Sequence, residues 1–197
     1  MSPTHTLVLL VATAYLVGSV PFGFLLARRF AHVDVRAAGS GNIGATNVAR
    51  SAGKGLGLLT LLLDALKGAV VVAVAQGVLQ APLPVVAASG FAAVFGHSFS
   101  IFMRFRGGKG VATALGVLLA IAPLTVAFAA PAFGVAFLLT RFVSLGSLVA
   151  AGAAVAGAAT VDRRVPVVWL TAALLALILW RHRSNIGRLL HRREPTT

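Results

Sequence analysis

The feature that most constrains this chain is a series of long apolar stretches separated by short polar ones. A bilayer core needs about 20 consecutive apolar residues, which must be helical because a helix satisfies its own backbone polar groups without water. Charged residues make up only 11% of the 197 residues, and the mean hydropathy is +0.95. A soluble domain is roughly one quarter charged, so the sequence predicts an all-α integral membrane protein.

The apolar stretches predict seven transmembrane helices that form one membrane domain over residues 1–197. They cover about residues 6–27, 56–80, 84–103, 111–122, 124–140, 145–161 and 165–181. Only Pro123 divides the fourth stretch from the fifth, so a single broken helix is the alternative there. The first stretch lacks both a preceding positive segment and an A-x-A cleavage pattern, so we expect it to remain attached as a span.

The distribution of Lys and Arg predicts the orientation of the spans. If the N-terminus is outside, Arg163 and Arg164 fall outside, Lys67 lies within a span, and all other basic residues fall on the inner side. The inner set is Arg28, Arg29, Arg36, Arg50, Lys54, Arg104, Arg106, Lys109, Arg141, Arg181, Arg183, Arg188, Arg192 and Arg193. Because cytoplasmic loops carry the excess of Lys and Arg, we expect an outside N-terminus and a cytoplasmic C-terminus.

The net charge narrows the possible partners. Seventeen Lys and Arg against four acidic residues give a formal charge of +13, which in a soluble protein would suggest nucleic-acid binding. Here the basic residues lie between apolar runs, so we expect the lipid bilayer as a partner and no nucleic acid. The charge either sets orientation or attracts anionic substrates and lipid headgroups. With no cysteine and four acids, neither a thiol nucleophile nor a metal site is expected.

The first inner loop has the composition of a phosphate cradle. Glycines let successive backbone N–H groups converge on an anion, while hydroxyl, amide and guanidinium groups add further donors. Short glycine spacings are weak indicators alone, so a flexible inner loop is the alternative. The candidate residues of this loop are Gly39, Ser40, Gly41, Asn42, Thr46, Asn47 and Arg50.

A second glycine-rich segment lies between the third and fourth stretches. Gly107, Gly108 and Gly110 surround Lys109, and the next apolar stretch, with Thr113, begins at once. This pattern would allow close backbone approach to a phosphate beside a positive charge; a tight basic turn is the alternative. His97 precedes the segment, where it would either hydrogen-bond a neighbouring helix or position a substrate.

Three further groups are candidates for binding or structure. Ser144 and Ser147 follow Arg141 and share a helix face, directed either to a site or to a neighbouring helix. His182 and Asn185 share a face of the basic C-terminal segment, whose arginines could simply anchor the last span. Asp64 and Lys67 lie within the second span at a spacing that lets them pair, which is the usual state of charges inside a membrane; a direct role with substrate is the alternative.

These pieces, in this order, resemble the acyl-phosphate:glycerol-3-phosphate acyltransferases, the PlsY family of bacterial membrane enzymes. The resemblance covers Gly18-Ser19-Val20-Pro21-Phe22-Gly23, the segments 39–50, 64–68, 96–113 and 141–147, and residues 181–190. It implies a seven-span fold and transfer of a fatty acyl group from acyl-phosphate to the 1-hydroxyl of sn-glycerol 3-phosphate. The products would be lysophosphatidic acid, used in phospholipid biosynthesis, and phosphate.

The resemblance also implies a location and partners. We expect a multi-pass protein of the bacterial cytoplasmic (inner) membrane with its active site on the cytoplasmic face. Acyl-phosphate and sn-glycerol 3-phosphate are the expected substrates, no cofactor is expected, and functional coupling to the enzyme that makes acyl-phosphate is a further expectation.

Site residues follow from the resemblance position by position. Within the three site segments that it marks, we expect a catalytic group of Ser40, Arg50, Lys109, His182 and Asn185. We expect substrate binding by Gly39, Gly41, Asn42, Thr46, Asn47, His97, Gly107, Gly108, Gly110, Thr113, Arg141, Ser144 and Ser147. The chain departs from the family at Ser100, Arg106 and Ser184, where Pro, Lys and Glu are common; Ser184 puts in doubt an essential acid at that position.

Two questions of chemistry stay open at this point. The hydroxyl proton could go to the departing phosphate, which the family resemblance favours, or to His182 as a general base. A carrier or channel for a phosphorylated metabolite is the alternative function, since basic loops and glycine-broken helices would serve it too. The outer halves of the spans are almost purely apolar, which disfavours a polar path across the membrane.

Overall fold

A computed structural model describes residues 3–194, and within this range the chain forms ten α-helices and no strand. The helices are α1 (Pro3–Ser19), α2 (Phe22–Phe30), α3 (Ala45–Ala52), α4 (Lys54–Ala73), α5 (Leu83–Ser98), α6 (Val111–Ile121), α7 (Pro123–Thr140), α8 (Val143–Gly157), α9 (Val165–Arg181) and α10 (Arg183–Leu190). π-helical turns at Val74–Val78 and Ala158–Asp162 extend α4 and α8, and a 3₁₀ turn covers Ile101–Met103.

By length and composition, five helical segments in the described chain can cross a membrane. They are Leu7–Phe30, Lys54–Val78, Leu83–Met103, Pro123–Thr140 and Val143–Asp162, and a sixth is Val165–Arg181 with Arg183–Leu190 if this pair, bent by 62°, counts as one span. Helix α6 has 11 residues and, at 1.5 Å per residue, reaches about half of the roughly 30 Å core. The all-α membrane fold is confirmed, and the seven-span count stays a prediction.

The outer surface of these helices is apolar. Large side chains such as Val78, Leu139 and Trp169 are 72–80% exposed, an arrangement that water would oppose and lipid tails favour. The surface therefore agrees with a multi-pass membrane protein.

Proline explains where two of the predicted stretches break. The stretch 6–27 contains Pro21, and the chain leaves the helix at Val20 before α2 begins, because proline lacks an N–H and disfavours helical geometry in the residue before it. Pro123 is likewise the first residue of α7, after Ala122 has left the helix at φ −150° and ψ 65°. The fourth and fifth stretches are therefore two helices.

The chain divides into two compact units, one up to Val117 and one from Leu118 on, with the boundary inside α6. The single-domain organisation stays a prediction. In the first unit, α1 packs closely on α5: a Cβ at Gly18 would collide with the backbone of Ala93, and one at Gly96 with the backbone at Tyr15. Such small residues let helix backbones approach without a side chain between them.

An apolar cluster places two loops at the same end of the first unit. We name residues 31–44 the first loop and residues 99–110 the second loop. Val35 and Ile43 of the first loop and Met103 of the second pack together with Ala27 and Val48, and all five are at most 7% exposed. Both glycine-rich segments are therefore built on one apolar base.

In the second unit, α7 packs along α8 and α8 along α9. Gly146 of α8 lies against the Phe133 ring of α7, where a Cβ would sit 3.0 Å from ring carbons. The turn between α8 and α9 is held by Arg164, which donates to Asp162 Oδ2 at 2.6 Å and to Ile121 O at 2.7 Å. The chain then bends between α9 and α10, with His182 at the bend.

Candidate active site

The side chain of Asn47 organises the first loop. Its Nδ2 lies 2.8–3.0 Å from the carbonyl oxygens of Val35, Ala38 and Asn42, and its Oδ1 accepts from Ser40 N at 2.8 Å. Asn47 is 2% exposed, and α3 holds it below the loop. The polar atoms of its amide are therefore occupied in fixing the loop, and its predicted contact with substrate stays a prediction.

Glycine is needed at two positions of this loop. Gly39 and Gly41 have φ of 58° and 70°, the left-handed region that favours glycine. A Cβ at Gly39 would also collide with Asn47 Oδ1. Asn42 Oδ1 then accepts from Gly44 N at 2.8 Å, and α3 begins directly after that turn.

The predicted donors of the first loop lie on its accessible side. Ser40 and Arg50 are exposed, and Asn42 and Thr46 are half-buried. Arg50 is in the last turn of α3. The loop thus presents hydroxyl, amide and guanidinium groups above a backbone that Asn47 fixes, which is a suitable surface for an anion.

Asp34 and Arg36 form an ion pair near the start of the first loop. Arg36 donates to Asp34 Oδ1 at 2.9 Å and to Asp34 Oδ2 at 2.6 Å. These side-chain hydrogen bonds, with one from the Arg36 backbone, lower the pKa of Asp34 to about 2. Asp34 therefore stays ionised at physiological pH, and its charge is offset locally by Arg36.

The second loop folds back onto the end of α5. Gly107 N donates to Ser98 O at 3.2 Å, and Gly108 N donates to His97 O at 3.0 Å. A Cβ at Gly107 would collide with His97 O, and one at Gly108 with the His97 ring. Gly110 has φ of 85°, and the half-buried Lys109 lies between these tightly held glycines.

Asp64, Lys67 and His97 form a buried polar cluster below the second loop. Lys67 Nζ lies 2.8 Å from Asp64 Oδ1, 3.0 Å from His97 Nδ1 and 2.8 Å from Val20 O, which accepts from it. The predicted pairing of Asp64 with Lys67 is confirmed, and His97 Nδ1 accepts a hydrogen bond from Lys67 of the neighbouring helix α4. Contact of His97 with substrate stays a prediction.

Thr113 lies in the first turn of α6, directly after the second loop. It is fully buried, and its Oγ1 has no hydrogen-bond partner within residues 3–194. The hydroxyl is thus placed inside the unit rather than on the accessible side of the loop, and its predicted contact with substrate stays a prediction.

A backbone contact in the second unit determines which ring nitrogen of neutral His182 carries the proton. His182 is 2% exposed, and its Nδ1 lies 2.9 Å from Ile178 O. A carbonyl oxygen only accepts, so Nδ1 carries a proton and Nε2 of the neutral ring is an acceptor. The ring is thus arranged to receive a hydrogen bond or a proton at Nε2.

Glu194 joins two of the predicted site residues and was not among them. Its Oε1 accepts from Ser144 Oγ at 2.7 Å and from Asn185 Nδ2, and its Oε2 accepts from Arg188 Nε at 2.7 Å. Burial would raise the pKa of Glu194, but the hydrogen bonds from these three residues outweigh it and lower the pKa. No spacing rule connects α8 with this residue, so the sequence held no indication of the contact.

Ser147 and Arg141 are the remaining predicted site residues of the second unit. Ser147 is buried and donates to Val143 O of its own helix at 2.8 Å. Arg141 is exposed and ends α7 with φ of 60°. Their contacts with substrate stay predictions. Among residues 3–194 no group of three or more His, Asp or Glu side chains could hold a metal ion.

Comparison with known proteins covers nearly the whole chain. A family model described as glycerol-3-phosphate acyltransferase matches residues 8–192. Proteins named glycerol-3-phosphate acyltransferase from Myxococcus xanthus and Geobacter sulfurreducens are each 51% identical, over 94% and 92% of this chain and 96% and 92% of their own.

Two solved structures have the same fold. A crystal structure of PlsY (YgiH), an integral membrane glycerol 3-phosphate acyltransferase, in the glycerol 3-phosphate form, has a TM-score of 0.92 and 41% identity, covering 98% of this chain and 96% of its own. The lysophosphatidic acid form has a TM-score of 0.89 and 40% identity, covering 97% and 95%. The chain therefore belongs to the glycerol-3-phosphate acyltransferase family of integral membrane proteins, the PlsY family.

Proposed function

We propose that this protein transfers a fatty acyl group from acyl-phosphate to the 1-hydroxyl of sn-glycerol 3-phosphate, giving lysophosphatidic acid and phosphate in phospholipid biosynthesis. The observation that carries the proposal is the 41% identical PlsY structure, which covers 98% of the chain and is named for its glycerol 3-phosphate form. A second PlsY structure is named for the lysophosphatidic acid form. The acceptor and the product of the proposed transfer are therefore both associated with close structural relatives.

The chemistry of the donor fits the residues available. Acyl-phosphate is a mixed anhydride, already activated, so a chain without cysteine needs no covalent thioester. The 1-hydroxyl oxygen forms the new bond to the carbonyl carbon, the bond from that carbon to the phosphate oxygen breaks, and the hydroxyl proton goes to the departing phosphate. The main task of the protein is to orient two anionic molecules and offset their repulsion.

In the first unit, we assign phosphate binding to the two loops. Lys109 lies between tightly packed glycines of the second loop, and Arg50 lies in the last turn of the helix that follows the first loop, so each supplies positive charge for an anionic group. Ser40, whose backbone N–H is fixed by Asn47, adds a hydroxyl. Such donors act most strongly when the protein holds them in place before the substrates arrive.

In the second unit, we assign His182 and Asn185 to the acceptor hydroxyl. The bond from His182 Nδ1 to Ile178 O leaves Nε2 as the acceptor of the neutral ring. Nε2 can therefore orient the 1-hydroxyl while the departing phosphate takes the proton. Direct proton abstraction by His182 is the alternative, and a comparison of pH–rate profiles separates the two.

The proposed location is the bacterial cytoplasmic (inner) membrane, with seven spans, an outside N-terminus and the active site and C-terminus on the cytoplasmic face. The distribution of Lys and Arg supports this orientation. A reporter fused after Leu190 should behave as cytoplasmic and one at the N-terminus as external; a periplasmic signal from the C-terminal fusion would overturn the orientation. Acyl-phosphate would reach the site from the enzyme that makes it, by functional coupling in the cell.

The central experiment uses purified protein in detergent with palmitoyl-phosphate and labelled glycerol 3-phosphate. We expect labelled lysophosphatidic acid and an equal amount of phosphate. The alternative function, a carrier for a phosphorylated metabolite, needs a sealed vesicle, whereas acyl transfer persists in detergent. Absence of labelled product from folded protein, together with uptake of label into sealed liposomes, would overturn the proposal.

A further inference from the structure

Glu194 connects α8 to the C-terminal segment through three donors. Ser144 comes from the first turn of α8, Asn185 and Arg188 come from α10, and all three donate to the Glu194 carboxylate. The Glu194 side chain is 6% exposed, so water contributes little to holding this arrangement. Hydrogen bonds that involve a charged group are stronger than those between neutral groups, so the carboxylate favours one arrangement of the three side chains.

The carboxylate also decides which way the Asn185 amide points. An ionised carboxylate only accepts, so the NH₂ of Asn185 must face Glu194 and the amide oxygen must point away. That oxygen, Asn185 Oδ1, has no hydrogen-bond partner within residues 3–194. Without Glu194, the amide could rotate by half a turn and exchange a donor for an acceptor at this position.

We propose that Glu194 is a positioning residue for the acyl transfer, which fixes the orientation of Asn185 and Ser144 through its carboxylate. This inference rests on the proposed function, in which Asn185 orients the acceptor hydroxyl. Glu194 acts through Asn185 and Ser144 and does not itself touch the reacting atoms.

The division of the contacts between the two carboxylate oxygens gives a specific test. Ser144 and Asn185 both donate to Oε1, whereas Arg188 donates to Oε2. In Glu194→Gln, the amide oxygen can keep both Oε1 contacts only if its NH₂ faces Arg188, which places two donors against each other. Arg188→Met removes that conflict, so the double variant should recover the orientation of Asn185 with a neutral acceptor.

The experiment measures kcat and KM for glycerol 3-phosphate in wild type and in Glu194→Ala, Glu194→Gln, Arg188→Met and the double variant. Arg193→Ala is the matched control, because it removes an exposed charge next to Glu194. Loss of positioning for a group that acts in the transition state lowers kcat more than it changes KM. Two lost hydrogen bonds correspond to about a ten- to hundredfold loss of kcat in Glu194→Ala.

We expect kcat to fall about ten- to hundredfold in Glu194→Ala and by less in Glu194→Gln. In the double variant, kcat should return to the value measured for Arg188→Met alone. Three results would overturn the proposal: unchanged kcat in Glu194→Ala, a lower KM that shows Glu194 competing with substrate phosphate, or a loss of kcat that matches the loss of folded protein. If wild type makes no lysophosphatidic acid, the proposed function fails and not this inference alone.

Discussion

Gly107 offers a quantitative test of how the second loop positions Lys109. An added Cβ would sit 2.9 Å from the carbonyl carbon and oxygen of Ser98 and closer still to His97 O. Ordinary van der Waals contact begins at 3.4 Å, so the Ser98 carbonyl must withdraw by at least 0.5 Å and the His97 carbonyl by more. Both are backbone atoms at the end of α5, so no flexible side chain can absorb the change.

The energetic cost follows from what that movement breaks. The bonds from Gly107 N to Ser98 O and from Gly108 N to His97 O would lengthen beyond useful range. At about 1 kcal/mol per hydrogen bond, with about 1–3 kcal/mol for overpacking, Gly107→Ala should cost about 3–5 kcal/mol in local stability. Lys109 is two residues away, and a displacement near 1 Å lowers rates by about a hundredfold.

We expect the rate of lysophosphatidic acid formation by Gly107→Ala to fall at least tenfold per folded molecule, with folding followed by thermal unfolding in detergent. Gly55→Ala is the matched control in α4: a Cβ there meets nothing within 4 Å, and alanine favours a helix by up to about 1 kcal/mol. A rate within twofold of wild type for Gly107→Ala would refute the argument that loop geometry places Lys109.

Other substitutions test the remaining elements of the site. Lys109→Ala should abolish turnover with folding intact, and Lys109→Arg should recover little because the wider guanidinium has a different shape; kcat with each variant checks this. Asp64→Asn or Lys67→Met alone should destabilise the fold by about 3–5 kcal/mol, whereas the double change should recover most of the loss, measured by thermal unfolding. His182→Gln should lower kcat but keep the shape of the wild-type pH–rate profile; loss of a wild-type rate limb in the variant would identify His182 as the base. Since the pKa of Glu194 is below its ordinary 4.5 in the folded protein, its stabilisation is complete above that pH and is lost as the pH falls through the folded value. The difference in melting temperature between wild type and Glu194→Gln should therefore shrink on acidification.

The parts of this protein that follow local rules could be predicted from its sequence. Apolar length predicted the helices, proline predicted the break before α7, and the spacing of Asp64 and Lys67 predicted their pairing, which the structure has at 2.8 Å. Each of these depends on residues close in the chain. The family was also predictable, because several ordered motifs over nearly the whole chain are far more specific than one glycine loop.

Contacts between distant segments could not be predicted in the same way. The loop sequence does not show that the Asn47 side chain hydrogen-bonds the backbone of the first loop. Its partners are backbone carbonyl oxygens, which every residue has, so no sequence pattern marks them. Glu194 is a further case: near Asn185, the family resemblance pointed to an acid only at position 184, where this chain has Ser184, whereas the structure brings the carboxylate of Glu194 to Asn185. Such tertiary hydrogen bonds depend on packing that periodicity does not encode.

The buried pair of Asp64 and Lys67 connects several segments of the first unit. A charge inside a membrane segment is costly unless it is paired, and Lys67 does more than pair with Asp64. It donates to Val20 O at the break between α1 and α2, and it contacts His97, whose carbonyl accepts from Gly108 N. The charge pair therefore ties α4 to the break before α2, to the end of α5 and, through His97, to the second loop. Because Gly107→Ala displaces that same loop, its effect on turnover should not simply add to that of Asp64→Asn, since the two changes share these contacts.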